Sequence, residues 1–194
     1  MALDVNALVK VADVKTYLGI QNNAADAVLE LLIGAVSGFI DEYTGRVMRL
    51  QDGVEFYVTG TGTTCMVLPQ YPCSAITSIA DEDGNDARPT DLKIRDGGIL
   101  KSATPWKKDV EYSVAGTFGY MTVGQVEAME VPDYTLVTVP PQLAYACIKL
   151  AARAYERRQA EGTTNVSANN TNVGYQRDLD VEVTGILDKY RKYV

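Results

Sequence analysis

The sequence predicts an α+β protein: a bundle of about four helices, an inserted antiparallel β module and an extended C-terminal arm. Apolar residues recur at helical spacing in residues 1–50 and 139–194, which are expected to form the bundle and the arm. Between them, residues 51–138 carry short β-branched and aromatic runs separated by Gly, Asp, Asn and Pro, as is typical of antiparallel strands. The polar stretch 160–178 separates the last two apolar segments.

The first predicted helix is short. It begins at Val11 and ends at Leu18, with Val14 on the same face, and Gly19 suits the position that follows a helix. Lys10 precedes it and has no side-chain acceptor for the free N–H groups of a first turn, so it is a poor cap.

The second predicted helix covers residues 24–44. Asn23 is expected to cap it, and Asp26 places a carboxylate in its first turn, where negative charge is favourable. The helix should end at Thr44 and Gly45. One face carries a continuous apolar stripe: Leu29, Leu32, Ile33, Val36, Ile40 and Tyr43.

The central module is expected to be built from short strands joined by tight turns. The strand candidates are residues 54–59, 65–68, 75–80, 92–94, 98–100, 109–116 and 135–139. Turn residues at 83–85 and 96–98 favour hairpins. The glycine-rich residues 60–64 lack the Lys and the following helix of a phosphate-binding loop, so they are interpreted as a hairpin loop.

Residues 81–86 resemble a calcium loop because they cluster acidic and amide side chains. An EF-hand needs Gly at its sixth position and Glu at its twelfth, whereas here Gly84 is fourth and Leu92 is twelfth. A solvated turn is therefore the better interpretation, and no metal ligand is assigned.

A long helix is predicted from Pro141 to about residue 158, since proline favours the first position of a helix. One face carries Leu143, Cys147, Leu150, Ala151 and Ala154, and a second carries Tyr145, Ile148 and Ala152. Such a helix should be buried on two sides.

The C-terminal segment combines a polar stretch with an apolar end. Residues 160–178 have little to bury and are interpreted as a linker or arm. The residues after it suit either a strand leading into a short helix or a helix that begins near Val181. They are the candidate interface with a partner or with another subunit: Leu179, Val181, Val183, Ile186, Leu187, Lys189, Tyr190, Arg191, Lys192 and Tyr193. The alternative is that they complete the chain's own bundle.

Composition excludes several function classes. The chain has no histidine, so Ser-His-Asp and Cys-His catalysis and histidine-containing zinc sites cannot form within it. Its net charge of −7 opposes phosphate binding, although an acidic surface suits a protein past which DNA slides.

The spacing of Cys65, Cys73 and Cys147 indicates buried free thiols. We expect no catalytic residues and no cofactor. The first residues lack the features of a secretory signal, so synthesis in a cytoplasm is expected.

Specific segments, in order along the chain, resemble the head-tail connector (adaptor) proteins of tailed bacteriophages. These segments are VADVKTYLGI at 11–20, FIDEYTGR at 39–46, LPQYPCSAITSI at 68–79, VEYSVAGTFGY at 110–120, VPPQLAYACIKLAARAYERRQ at 139–159 and ILDKYRKY at 186–193. Residues 121–138 are longer than in the family's pattern, and residues 160–178 are more polar.

The resemblance implies a structural virion protein of the neck, made in the host cytoplasm, rather than an enzyme. Such a protein would bind the portal protein and neighbouring copies of itself in a ring, usually dodecameric, and would extend the DNA channel toward a downstream neck or tail-completion protein. No membrane and no sequence-specific DNA contact are implied.

Two other classes stay open at the level of sequence. A carboxylate- or metal-dependent hydrolase or nuclease would gain heat stability with its metal ion, because an ion stabilises only the state that binds it. A monomeric prophage-encoded binding module would remain a monomer in the presence of portal protein.

Overall fold

A computed structural model describes residues 3–158 and 179–192, together with the backbone of residues 165–168 and 171–174. Helices and antiparallel strands are both present, so the α+β class predicted from the sequence is confirmed. In this described part of the chain, no helix combines the length and the apolar character needed to cross a membrane.

The chain divides into two compact units. The helical unit comprises Met1–Gly45 and Met121–Arg191, and the β unit is built on Arg46–Tyr120. Residues 121–138, which the sequence pattern assigned to the β module, lie in the helical unit.

The helical unit begins with α1 (Val11–Leu18) and α2 (Asp26–Thr44). Each ends at a glycine in the left-handed conformation, Gly19 at φ 70° and Gly45 at φ 66°. This region is costly for residues with a Cβ, so glycine fixes the two helix ends. Both helices therefore end where the sequence predicts.

The start of α2 differs from the prediction. The helix begins at Asp26, and Asn23 does not cap it. The side-chain oxygen of Asn23 instead accepts a hydrogen bond from Lys15 Nζ at 2.8 Å. Lys15 lies on α1 and also forms an ion pair of 2.8 Å with Asp26. The amine of one helix thus engages the side chain expected to cap the other.

The short helix α3 (Val123–Glu127) is followed by a 3-10 turn at Tyr134–Leu136. The predicted strand over residues 135–139 is therefore wrong. The Asp133 carboxylate accepts a hydrogen bond from the backbone N–H of Thr135 at 3.0 Å, which favours a turn over an extended chain.

The long helix α4 (Pro141–Arg157) packs against α1, α2 and the terminal helix α5 (Val181–Asp188). Pro141 is its first residue, as predicted. Its buried residues are Leu143, Ala146, Cys147, Leu150, Ala151 and Ala152. The second predicted face is only partly buried, because Tyr145 is 38% exposed.

The β unit contains two three-stranded antiparallel sheets. Its strands in chain order are β1 (Gln51–Thr59), β2 (Cys65–Val67), β3 (Cys73–Ala80), β4 (Lys93–Arg95), β5 (Ile99–Lys101) and β6 (Glu111–Phe118). The strand orders are β1-β6-β3 and β2-β5-β4. The buried core consists of Met66, Leu68, Ile76, Ile79, Leu100, Trp106, Tyr112, Val114 and Phe118.

The loops of this unit confirm one predicted hairpin and contradict another. Residues 96–98 connect β4 to β5 in a hairpin, as predicted. Residues 60–64 do not form a hairpin loop, because β1 and β2 belong to different sheets. The backbone N–H of Gly60 donates to the carbonyl of Val110 at 2.8 Å, and a Cβ at Gly60 would lie 2.0 Å from the Lys107 carbonyl oxygen. Glycine is thus needed for close backbone approach.

The polar stretch near the C-terminus contains regular structure that its composition does not predict. Strand β7 (Asn165–Ala168) pairs antiparallel with β8 (Thr171–Gly174), with Val166 opposite Val173. The stretch interpreted as a linker or arm thus includes two strands whose backbone groups pair with each other.

Replacing Leu143 by alanine should destabilise the helical unit by about 2 to 5 kcal/mol, because this side chain is fully buried. Leu31→Ala is the matched control, since Leu31 is 66% exposed and alanine is a good helix former. Chemical denaturation followed by the helical circular dichroism signal would measure both. Equal effects of the two substitutions would contradict the packing described.

Candidate interaction surface

The structure divides the predicted interface residues of α5 into buried and exposed groups. Val183 and Leu187 are 1% and 0% exposed, and α5 contacts α4 and α2. These two residues therefore complete the core of the helical unit. Their spacing of four residues places them on one face of a helix.

The start of α5 resolves the two possibilities that the sequence left open. The helix begins at Val181, and no strand precedes it in residues 179–180. Asp180 caps it, because its carboxylate accepts a hydrogen bond from the backbone N–H of Glu182 at 3.0 Å. The alternative of an extended strand through Val183 is wrong.

Lys149 of α4 joins α5 to the rest of the unit. Its ammonium lies 2.7 Å from a carboxylate oxygen of Asp180 and also donates to Glu182. The hydrogen bonds to Asp180 and Glu182 raise the pKa of Lys149 above its ordinary value. The hydrogen bond from Lys149 in turn holds the pKa of Asp180 below its ordinary value. The same carboxylate thus caps α5 and anchors it to α4.

A second polar contact fixes the other end of α5. The hydroxyl of Tyr43, in the last turn of α2, donates to Asp188 at 2.9 Å. Partial burial and this hydrogen bond raise the pKa of Tyr43. Arg191 lies beside Tyr43 and Asp188, with its guanidinium 5.8 Å from the Tyr43 ring centre. The helix is therefore held at both ends as well as by its apolar face.

The remaining predicted residues lie on the outer side of this segment. Val181 is 82% exposed. The charged residues Lys189, Arg191 and Lys192 are exposed. Leu179, Ile186 and Tyr190 are half-buried, and Tyr193 lies outside the described residues. The exposed side chains of this well-anchored segment are thus one valine and three basic residues, together with the acids Glu182 and Asp188.

Next to Leu179 lies an open, mainly apolar groove of about 280 Å³ in the helical unit. We call it the α2–α4 groove. Its lining residues are Val36, Phe39, Leu150, Arg153, Ala154, Arg157 and Leu179. Two arginines therefore border a floor made of aliphatic and aromatic side chains.

Two exposed apolar features were not among the predicted interface residues. On α2, Val28 and Leu31 are 40% and 66% exposed. In the loop after α3, Val131 is 78% exposed and Leu136 is 45% exposed. A signal for the first was present, since α2 is apolar on nearly all sides, and such a helix is normally buried all round. At Leu136 the signal was hidden by the strand predicted over residues 135–139, and no sequence pattern indicated that Val131 is exposed.

Other chemically suggestive residues serve the fold. Asp81 accepts hydrogen bonds from the backbone N–H groups of Asp83 and Asn85, which lower its pKa, as expected of a turn. Within the described ranges, no three His, Cys, Asp or Glu side chains are grouped so as to hold a metal ion.

The three cysteines are free thiols, as predicted, but only Cys147 is fully buried. Its burial raises the pKa of the thiol to about 12. Cys65 and Cys73 are half-buried, so the prediction of burial is wrong for these two. They are the first residues of β2 and β3.

Acidification should loosen α5. The pKa of Asp180 lies below its ordinary value of 3.8, so its contribution to stability is present above that pH and is lost as the pH falls through the native pKa. The raised pKa of Lys149 means that the contact persists as the pH rises past 10.5. Hydrogen-exchange protection of the α5 amides should fall several-fold as the pH is lowered from neutral to well below 3.8.

The variant Lys149→Met is the control for this loss of protection at low pH. Its α5 amides should be less protected at neutral pH and should lose less protection on acidification, because the ion pair is already absent. Identical pH profiles for the wild-type protein and Lys149→Met would contradict the proposed anchoring of α5.

No curated protein sequence matches the chain significantly. The chain is similar in structure to a chain of the neck of an empty gene transfer agent (GTA) particle computed with C6 symmetry. That likeness has a TM-score of 0.57 and 17% identity and covers 100% of this chain and 94% of the other.

Similar chains occur in the virion of the native GTA particle, with a TM-score of 0.53, 17% identity and coverage of 100% and 94%. The neck of the native particle computed with C12 symmetry gives a TM-score of 0.51, 15% identity and coverage of 100% and 93%. At these identities the likeness establishes a shared fold. The family model described as head completion protein matches residues 7–193, nearly the whole chain. The chain therefore belongs to the head completion protein family.

Proposed function

We propose that this protein is a structural component of the head-tail neck of a tailed phage or phage-like particle. Copies of it form a ring on the portal vertex, and the ring continues the DNA channel toward a downstream neck or tail-completion protein. The observation that carries the proposal is the family match over residues 7–193. The similar folds in GTA necks computed with C6 and C12 symmetry support it, since such symmetry is that of closed rings.

The physical character of the chain fits this function. A net charge of −7 opposes tight binding to DNA phosphates, so DNA can pass without being held. The exposed apolar side chains of the helical unit supply surface for protein contacts. An adaptor needs surfaces of this kind and no catalytic group.

We assign the exposed side of α5 and the residues after it to the portal contact. Val181 supplies apolar area, and Lys189, Arg191 and Lys192 supply positive charge to meet an acidic partner. Val183 and Leu187 act indirectly, because they seat the helix that carries this surface.

Particles produced without this protein should contain DNA-filled heads that fail to join tails, and addition of the purified protein should restore joining. Electron microscopy and infectivity or transfer assays would measure this. Normal tailed particles in its absence would overturn the proposed function.

Reversing two exposed charges, Lys189→Glu with Lys192→Glu, should weaken co-sedimentation with portal-containing heads by about tenfold or more, because like charges then meet at the contact. The matched control is Lys93→Glu with Lys101→Glu on β4 and β5, which makes the same change in net charge at exposed positions. Circular dichroism would verify folding. Equal losses for both variants would contradict the assigned portal contact.

A further inference from the structure

We propose that residues 128–137 of one copy, here called the apolar loop, bind in the α2–α4 groove of the next copy. This inference rests on the proposed ring and names the contact that closes it. Four observations of the helical unit carry it: the order of the loop, its exposed apolar side chains, its acidic charge, and the apolar groove bordered by arginines.

The apolar loop is held in a defined conformation. At its base, the backbone N–H of Met121 donates to Thr138 Oγ1 at 2.8 Å, and the N–H of Thr138 donates to the Met121 carbonyl at 3.1 Å. The Tyr134 hydroxyl donates to Glu127 at 3.2 Å, and Lys10 Nζ lies 3.2 Å from the Tyr134 ring centre. A loop closed at its base and fixed within is pre-organised, so binding would cost little further ordering.

This ordered loop nevertheless leaves its apolar side chains in solvent. Val131, Tyr134 and Leu136 are 78%, 41% and 45% exposed. Burying them would be favourable in proportion to the apolar area removed from water. Exposed apolar side chains on a fixed loop are typical of a surface that binds another protein.

The α2–α4 groove complements the loop in polarity and charge. Its floor includes Phe39, Leu150 and Ala154, which suit the apolar side chains of the loop. Its border carries Arg153 and Arg157, whereas the loop carries the exposed acids Glu130 and Asp133. Opposite charges around an apolar centre favour one register of binding.

The loop and the groove lie at different ends of α4. The loop leads into Pro141, whereas the groove is lined by the C-terminal half of the helix, about 20 Å further along its axis. The loop of the same copy does not fill the groove, since Val131 is largely exposed. A contact between two different surfaces of identical copies is heterologous, and such contacts generate a closed ring when the rotation from copy to copy divides the circle.

Photocross-linking in assembled particles tests this contact. The photoreactive residue benzoylphenylalanine replaces Val131, and mass spectrometry identifies the peptides joined to it. We expect cross-links between two copies of the chain, at residues of α2 and α4 that line the groove. The same group at Tyr57, which is 66% exposed on β1, is the control and should not label the groove.

A charge swap then tests the arginine border. Arg157→Glu should reduce the cross-link about tenfold, and adding Glu130→Arg in the same chain should restore most of it, because the opposite charges are re-paired. Circular dichroism of each purified variant verifies folding. If Arg157 only stabilised its own helix, adding Glu130→Arg would not restore the cross-link.

The inference would be overturned if position 131 cross-linked to another part of the chain or to a different protein. It would also be overturned if position 131 formed no cross-link. If the protein is found in the neck with any of these outcomes, only the loop contact fails and the proposed function stands. If the protein is absent from the particles, the proposed function itself fails.

Discussion

Close packing around α4 is the constraint on which the helical unit depends. Three small buried residues, Ala146, Ala151 and Ala152, lie on this helix, and α1, α2 and α5 all contact it. Small side chains let neighbouring helices approach closely, and the larger Leu143 fills the space between them. Since α4 also follows the apolar loop and lines the groove, its position sets the distance between the two surfaces proposed to meet in a ring.

Local signals predicted most helix ends correctly, and long-range contacts account for the errors. Gly45 and Pro141 act through their own backbone geometry, so their effects are readable from sequence. Asn23 is not the cap of α2, whose cap position is Ala25, and its side chain binds Lys15 of another helix instead. The anchoring of α5 was equally hidden, since Tyr43 and Asp188 are 145 positions apart. Pairings of this kind exist only once the helices have packed.

The sequence marked residues 179–193 as an apolar segment but gave neither its conformation nor which of its side chains are exposed. The apolar character of residues 179–193 indicated that something buries them, but a short apolar run fits strand and helix alike. Only the helical assignment shows that Val183 and Leu187 turn inward while Val181 stays exposed. A protein that acts by contact needs no chemical motif, so composition could exclude histidine-based catalysis without naming a function. The function was instead suggested by the series of short segments that resemble head-tail connector proteins in the same order along the chain. The match to the head completion protein family supports this suggestion.

Identical copies of this chain are proposed to close a ring in the neck. Cryo-electron microscopy of intact particles, with the neck reconstructed without imposed symmetry, would show this arrangement. A closed ring of equivalent copies around the DNA channel is expected, with the helical unit of each copy contacting that of the next. A neck density that contains one copy, or copies that do not touch one another, would show that no such ring forms.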